Sequence, residues 1–568
     1  MRGGRLALLA LLAVLAVPPG AGAAVGGAID SRFASCGQAT GLVPRDVAGR
    51  QFSYGAGAAL AAQPDGKIVA AGPAARGMGA TRFNPDGSLD RGFGGDGVAF
   101  VAAAVGRSAQ SFVTSVAVQP DGKVVAAGWL FAETDGDAPA PLVRRFLVAR
   151  FTAAGEPDTT FSGDGLFEYV PPGAATASAH AVAPAAGGAL VVAGQVDDRF
   201  ALVRLRDDGT LDPAFGEAGV ARVTSAARPT GRADAVAILP DGRILAAGQT
   251  TAAGLGGSQA FTVARFTAGG APDPAFAGGG SFTETFDESS AATALVPLPD
   301  GRFYAVGSTV DFWGGNENTT ERAAIVRYGA DGARDSSFAG DGTVLDALGG
   351  GLYARVFPSG AALDADGRLA ISTQRGPLAR YTPDGARDAT FGTGGVLRLF
   401  GATSGESLIA LPGGALVLGG SNDRQGRRPS GFEWGPAIMR LAGSGAALAA
   451  VQNQPGACFL RLRNPTIAHL LRRGRVARNG KALVGFYLTQ PGFGYVGAVV
   501  EGPRGEILAT IGETSFSSRS AGTNAVEIRV RKAAAKLLRT KRSARIRVTL
   551  SLQEEGVQPV SVLRTLRR

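Results

Sequence analysis

An Arg and an Asp eight residues apart recur along this 568-residue chain: Arg82 and Asp90, Arg150 and Asp158, Arg204 and Asp212, Arg265 and Asp273, Arg327 and Asp335, Arg380 and Asp388. A guanidinium within reach of a carboxylate is the pairing of anion sites and of acid–base centres. Its repetition argues for a different role. An active site needs one constellation, and here each unit carries its own. A Phe follows each Asp after three residues and a Gly after four more, as in Phe93 and Gly97 or Phe161 and Gly165. The expected role is structural: the Arg braces the following turn through its Asp, and the Phe fills the space between units. A seventh Arg, Arg440, has no such sequel, but Asp30, Phe33 and Gly37 stand at the same internal spacing near the start of the chain.

Other patterns with chemical potential are weaker. Gly92-x-Gly94-x-x-Gly97 leads into Val98-Ala99-Phe100-Val101, a strand-like run, so no helix N-terminus exists to cradle a phosphate. Asp86-Gly87 with Asp90, and Asp135-Gly136-Asp137, suit a tight turn as well as Ca²⁺, and no twelve-residue loop ends in the Glu that a calcium hand requires. The two His, His180 and His469, sit in no recognisable nucleophile motif, and no metal-ligand spacing is present. Neither cofactor nor metal is expected, and no catalytic residue is assigned. Cys36 and Cys458 are the only cysteines. In an exported protein the expectation is one Cys36–Cys458 disulfide, with two structural thiols as the alternative.

The elements that position these residues are short strands. In Ser115–Gln119, Pro120-Asp121-Gly122, Lys123–Gly128, Phe146–Phe151 and Gly165–Val170, β-prone runs alternate with turns in which Pro and Gly supply the required backbone angles. The hairpin glycine recurs as Gly66, Gly122, Gly188, Gly242, Gly301, Gly367 and Gly414, about 58 residues apart on average. Four strands per unit at this period predict an all-β chain built as a seven-bladed β-propeller. The split seventh unit predicts closure by an N-terminal strand, which joins three strands near 405–441 and removes the exposed sheet edge.

The stretch Gln63–Gly72 (QPDGKIVAAG) and Arg82–Gly94 (RFNPDGSLDRGFG) resemble the delta-60 repeat family of bacterial exported proteins, and the resemblance runs over roughly residues 29–441. It implies a propeller-like array and carries no enzymatic role. Gly187-Gly188, Ala365-Asp366-Gly367 and Gly413-Gly414 depart from the turn motif.

The ends of the chain differ from the repeats. Arg2 and Arg5, the apolar run Leu6–Val17 and Ala21-Gly22-Ala23 have the form of a secretion signal over 1–23, which predicts a secreted or cell-surface protein. Repeats then fill 24–445, a linker 446–457, and a small β-sandwich 458–568. From 446 onward the chain holds 21 Lys and Arg against 6 Asp and Glu, whereas the rest is acidic on balance. A basic tail suggests an anionic surface polymer as partner, or simply a solvated face. No aromatic interleaving supports nucleic acid, no membrane span is expected, and the chain is read as a monomer.

The units differ most between their second and third strands. This excursion is longest in units 2, 5 and 7, where Trp129, Trp313 and Trp434 lie, with Phe312, Asn316 and Glu317 beside Trp313. All such connections emerge on one face of a propeller. Aromatics with amides and carboxylates there suit a glycan or a protein ligand, while the competing role for each Trp is to pack its own loop. The expected function is a non-catalytic binding or surface-scaffold module. The alternative is an extracellular hydrolase or lyase acting on glycan, which requires a carboxylate pair in the central funnel.

Overall fold

The structure is a computed structural model that describes residues 38–40, 59–74, 77–103, 110–132, 143–170, 176–254, 257–312, 319–348, 356–374, 377–392, 394–397, 407–412, 414–424, 433–441, 460–461, 481–488, 492–501, 507–518, 522–529, 531–532, 534, 536, 543–552 and 560–567. Seven four-stranded antiparallel sheets follow one another. Each is a blade, with strands A to D running outward from the axis. Blade 2 is Gln110–Val118, Val124–Ala132, Val143–Phe151 and Leu166–Tyr169. The A strands of successive blades lie side by side, and Ser407–Ala410 of blade 7 meets Ala59–Ala62 of blade 1.

Blade 7 takes its strands A to C from Ser407–Ala410, Leu416–Arg424 and Glu433–Leu441, and its fourth strand is Gln38–Thr40. Gln38 pairs with Met439 and Thr40 with Ala437, antiparallel. The N-terminal segment therefore closes the ring, as the split repeat implied. Leu60, Ile68, Ala70 and Phe83 of blade 1 bury against Val417 and Ile438 of blade 7, and Leu60 N donates to Ser407 Oγ at 3.2 Å. Six further apolar clusters join the successive blades. Seven blades joined by seven interfaces make a closed circle. The inner layers are rich in Ala and Val, which let sheets pack closely, and each buried Val or Leu contributes about 1.5–3 kcal/mol.

The A–B and C–D turns lie on one face, the B–C loops and D–A links on the other. Gly122 at the blade 2 A–B turn has φ +84, so the turn needs a residue without a Cβ. In blade 3 the departure from the turn motif is a 3₁₀ turn at Ala186–Gly188, with Gly187 and Gly188 both left-handed.

One expectation is corrected. Trp129 and Trp434 are not in loops: Val124–Ala132 and Glu433–Leu441 carry them within strands, and Phe312 ends Phe303–Phe312. The long excursions of blades 2, 5 and 7 are in part extended hairpins. Alternating large residues, such as Trp129, Phe131, Arg144 and Phe146, let the ladder continue past the length of a standard blade.

Strand A carries a feature the sequence did not disclose. In blades 2 to 6 its register with strand B slips by one residue, at Thr114, His180, Asp234, Thr293 and Ser359. The bulge leaves one residue unpaired per blade. Thr114 Oγ1 uses this freedom to donate to Ala179 O of the next blade at 3.1 Å, and Thr293 Oγ1 to Pro358 O at 2.8 Å.

After the propeller, described residues form two antiparallel sheets. One holds Leu460–Arg461, Lys481–Leu488 and Gly522–Arg529; the other holds Ile507–Ser518, Gly492–Glu501, Ser543–Leu552 and Val560–Arg567. Ala498, Val500 and Ile511 are buried. Among the described residues no helix is long and apolar enough to cross a membrane.

Ring closure gives a direct test. Deleting residues 24–45 removes the strand that covers Glu433–Leu441. The expected outcome is a lower melting temperature or aggregation through the bared edge; a deletion protein as stable as the parent would refute closure.

Candidate functional site

The repeated Arg and Asp meet in every unit where both are described. Nε of Arg82, Arg150, Arg204, Arg265, Arg327 and Arg380 donates to Oδ2 of Asp90, Asp158, Asp212, Asp273, Asp335 and Asp388, at 2.7–2.8 Å. Asp30, the proposed partner of Arg440, lies outside the described residues, as do Cys36, Cys458, Trp313, Asn316 and Glu317. Arg150 and Arg380 are fully buried, and Arg82, Arg265 and Arg327 nearly so. These are not surface pairs.

Two further contacts complete each guanidinium. Its carbon lies 4.5–5.0 Å from the ring centre of the unit's own Phe, from Arg82 over Phe93 to Arg380 over Phe391. In the first five units, and at Arg440, the remaining nitrogens reach the C–D turn of the next blade, whereas Arg380 Nη1 turns to Asp364 of its own A–B hairpin at 3.4 Å. Arg82 Nη1 donates to Ala153 O at 2.7 Å, Arg327 Nη1 to Pro383 O at 2.6 Å and Arg440 Nη1 to Pro85 O at 2.5 Å, the last across the ring closure. Arg204 and Arg265 reach Ala268 O and Ala330 O likewise, and Arg150 takes the Asp207 carboxylate at 2.8 Å. The turn can approach this closely because of its glycine. A Cβ on Gly155, at φ +89, would stand 2.5 Å from Gly94 N and 2.8 Å from the Phe93 ring.

The Asp also receives a second cation from the A–B hairpin in most units: Lys67, Lys123, Arg243, Arg302 or Arg368. Burial alone would raise these six carboxyls. Hydrogen bonds from the cations, from the backbone two residues on, and in three units from a Ser or Thr hydroxyl outweigh it, and all six lie below the ordinary 3.8. The Arg–Asp–Phe frame is thus a blade-to-blade joint on the A–B/C–D face.

The opposite face breaks the repeat. In blade 2, Phe112, Trp129 and Phe146 face one another across strands A, B and C, and Phe131 faces Arg144. Phe112 stacks on Trp129 with centroids 3.8 Å apart and planes at 16°, and Phe131 meets Trp129 edge-on at 4.6 Å. The exposed Arg144 places its guanidinium 5.6 Å from the Trp129 ring and 5.2 Å from Phe131. At the positions of Phe112 and Trp129, blade 3 has Ser178 and Gln195, blade 4 Arg232 and Gln249, and blade 5 Ala291 and Ser308. The fold does not require aromatics there.

Beside this cluster runs a polar row from the A strands of blades 3 and 4. Ser178 Oγ lies 3.1 Å from His180 Nε2, His180 Nδ1 lies 3.5 Å from Asp234 Oδ1, and Arg232 Nε holds Asp234 at 2.9 Å. Burial lowers the His180 pKa; Asp234 opposes this, while Arg232 and Arg144 reinforce it. The row has the order of a nucleophile triad, but Ser178 is only 2% exposed. Its hydroxyl serves the buried imidazole. His180 is the bulged residue of blade 3 and Asp234 that of blade 4, so the row links adjacent blades where Thr114 and Thr293 do so with a hydroxyl.

Of the ligand-binding candidates, the structure describes the side chain of Trp129, and the backbone alone of Phe312 and Trp434. Phe112, Phe131 and Arg144 escaped the sequence reading, and His180 was singled out there without a role. The signal available was the run of large residues at alternate positions in strands B and C. Asp86 makes an ordinary turn, accepting from Ser88 N and Oγ at 2.9 and 2.7 Å. Among the described residues no group of three or more His, Cys, Asp and Glu is placed to hold a metal ion.

The family described as "Domain of unknown function (DUF5122) beta-propeller" matches residues 63–93, 119–161, 188–215, 239–276 and 298–338. Each match runs from an A–B turn to a buried Phe of the joint, in blades 1 to 5. None of the curated proteins compared with the chain matches it. Among solved structures, Drosophila Plexin A in complex with Semaphorin 1b is similar at TM-score 0.39 and 9% identity, over 73% of this chain and 88% of that one. YCF48 bound to D1 peptide is similar at TM-score 0.36 and 11% identity, over 70% and 95%. A fungal alcohol oxidase of the AA5 family, in complex with copper, is similar at 0.34 and 11%, over 91% and 98%. Similarity at this level bears on neither ligand nor chemistry.

The joint makes two predictions. Arg150→Ala leaves the Asp158 carboxylate facing a buried gap, and loss of one partner from a buried pair costs about 3–5 kcal/mol; denaturant unfolding measures it, and a change below about 1 kcal/mol would mean that Lys123 and Thr160, not the Arg, suffice for Asp158. The second concerns acid. Carboxyls whose folded pKa lies below the unfolded one stabilise the fold above the unfolded value and lose that contribution as pH falls through the folded one. Melting temperature should therefore be nearly level from pH 7 to about 5 and fall steeply below about 4. A profile already falling between pH 7 and 5 would implicate other groups, His180 first.

Proposed function

We propose that the chain is a secreted, non-catalytic binding or surface-scaffold protein whose propeller engages a protein or glycan polymer on the B–C face, and whose basic C-terminal residues contact an anionic surface polymer. The observation that carries this reading is the departure of blade 2 from its own repeat. The other face is committed to joining blades. On the B–C face the same architecture leaves positions free, and blade 2 fills them with Phe112, Trp129 and Phe131 capped by an exposed Arg144. Trp and Arg are the side chains that dominate binding hot spots, being large, stiff and amphipathic. The resemblance to delta-60 repeats agrees with export and with a role free of catalysis. The buried hydroxyl of Ser178 offers no nucleophile to a substrate, so the polar row does not act as a serine nucleophile triad.

The test is a binding screen of the intact protein against glycan arrays, wall polymers and extracellular proteins, repeated with Trp129→Ala and Phe131→Ala after their melting temperatures are compared with the parent. Loss of an aromatic anchor is expected to cost about 2 kcal/mol, roughly thirtyfold in affinity. A ligand held equally by the folded variants would remove blade 2 from the binding face.

A further inference from the structure

Resting on that reading, we infer that the partner is a protein that presents a carboxylate side chain to Arg144, at the mouth of the junction between blades 2 and 3. Three observations converge. First, Arg144 differs from the other strand-C arginines of its blade. Arg150 is buried and bound to Asp158, and Arg145 pairs with Glu168 at 3.4 Å. Arg144 has no carboxylate partner among the described residues and stands exposed. Second, it is held in place. Phe131 lies opposite it in the ladder, and both Phe131 and Trp129 lie within 6 Å of its guanidinium, so the rings bias the fork toward one position before any partner arrives. A preorganised guanidinium loses little entropy on forming a bidentate pair. Third, among the described residues no free acid competes for it. Asp234, the carboxylate of the polar row, is already engaged by Arg232.

The same geometry distinguishes between partner classes. A sugar ring needs an open aromatic face. Trp129 has Phe112 stacked on one side and Arg144 beside Phe131 over its other contacts, so it offers an edge and a cation rather than a platform. An aromatic edge rimmed by a guanidinium suits an acidic side chain flanked by apolar residues, as at a protein interface. The repeat supplies the internal control: the position of Arg144 is Gln259 in blade 4 and Glu321 in blade 5, so the cation is not required to build a blade.

The experiment uses the full chain and a Glu–Leu–Ser repeat peptide carrying a photo-reactive group. An oligogalacturonate with the same group is run in parallel. Cross-linked residues are mapped by mass spectrometry, because the basic C-terminal residues will also attract anions. The expected result is cross-linking to 110–132 and 143–151, competed by unlabelled peptide, with affinity reduced at least tenfold in Arg144→Glu and partly retained in Arg144→Lys. Arg144 is exposed, so both variants should melt with the parent. Peptide cross-links confined to residues beyond 446, or unchanged in Arg144→Glu, would overturn the inference. So would Arg144-dependent capture of oligogalacturonate without the peptide, which assigns the site to acidic glycan. If the screen finds a ligand that needs Trp129 and Phe131 but not Arg144, the binding face stands and this inference alone falls.

Discussion

A guanidinium inside a protein has to be satisfied on every side, and this molecule is arranged around six of them that sit in the same place in successive blades. Each has an aromatic face below it and a carboxylate from its own turn, and five of the six also take a carbonyl or carboxylate from the turn of the next blade. None of these partners is dispensable once the charge is buried, because removing water from a cation costs several kcal/mol unless its donors are met. The joint therefore fixes more than one bond. It sets the distance between blades, requires a glycine in the C–D turn so that the backbone can approach, and requires a Phe at the position that the guanidinium covers. Arg440 shows the same demand at the ring closure, where its donor crosses to Pro85 of blade 1.

That demand divides the propeller into two faces with different freedoms. On the A–B/C–D face the repeated Arg, Asp and Phe are engaged in the joints, and substitution of them disturbs packing. The B–C face lies at the far end of the same strands, beyond the reach of the joint. Register pairs there differ from blade to blade, Ser with Gln, Arg with Gln, Ala with Ser, and in blade 2 Phe with Trp, with Ser178 and Arg232 drawn into the row between blades 3 and 4. Variation at the end that has no structural obligation is what a repeated scaffold offers to recognition. The blade joints in 5 and 6 show that variation on the committed face stays structural: Tyr328 and Tyr381 replace apolar residues and donate to Glu284 and Asp346 of the preceding blade.

The joint was legible in the sequence because its parts are local. Arg, Asp, Phe and Gly stand within fifteen residues, and their spacing repeats whatever the loops between them do. Closure was legible because Asp30, Phe33 and Gly37 are displaced by a whole chain length but keep their spacing. What the sequence hid is what crosses blades. The acceptor of Arg82 is a main-chain oxygen of Ala153, which no side-chain pattern reports. The row from Ser178 to Asp234 depends on two bulges, and a one-residue slip in register leaves no compositional trace. At blade 2, Trp129 was visible as a rare residue, but its stack with Phe112 and its cover by Arg144 come from three strands, and extended pairing moved it from the expected loop into the sheet.

Closure by residues 38–40 has a consequence for how the protein is made. Synthesis delivers this strand first, yet its partner Ala437–Met439 emerges roughly 400 residues later. Until then blade 7 does not exist, and blade 1 holds one flank of apolar surface with nothing to cover it. Six blades can assemble in order by contacts between neighbours, but the last step joins the two ends of the chain and makes the transition from an open arc to a ring all-or-none. The entropy of that loop grows only slowly with its length, so the delay costs time more than stability. Once shut, the ring has no terminal blade from which to fray, because three residues paired along Ala437–Met439 join its two ends.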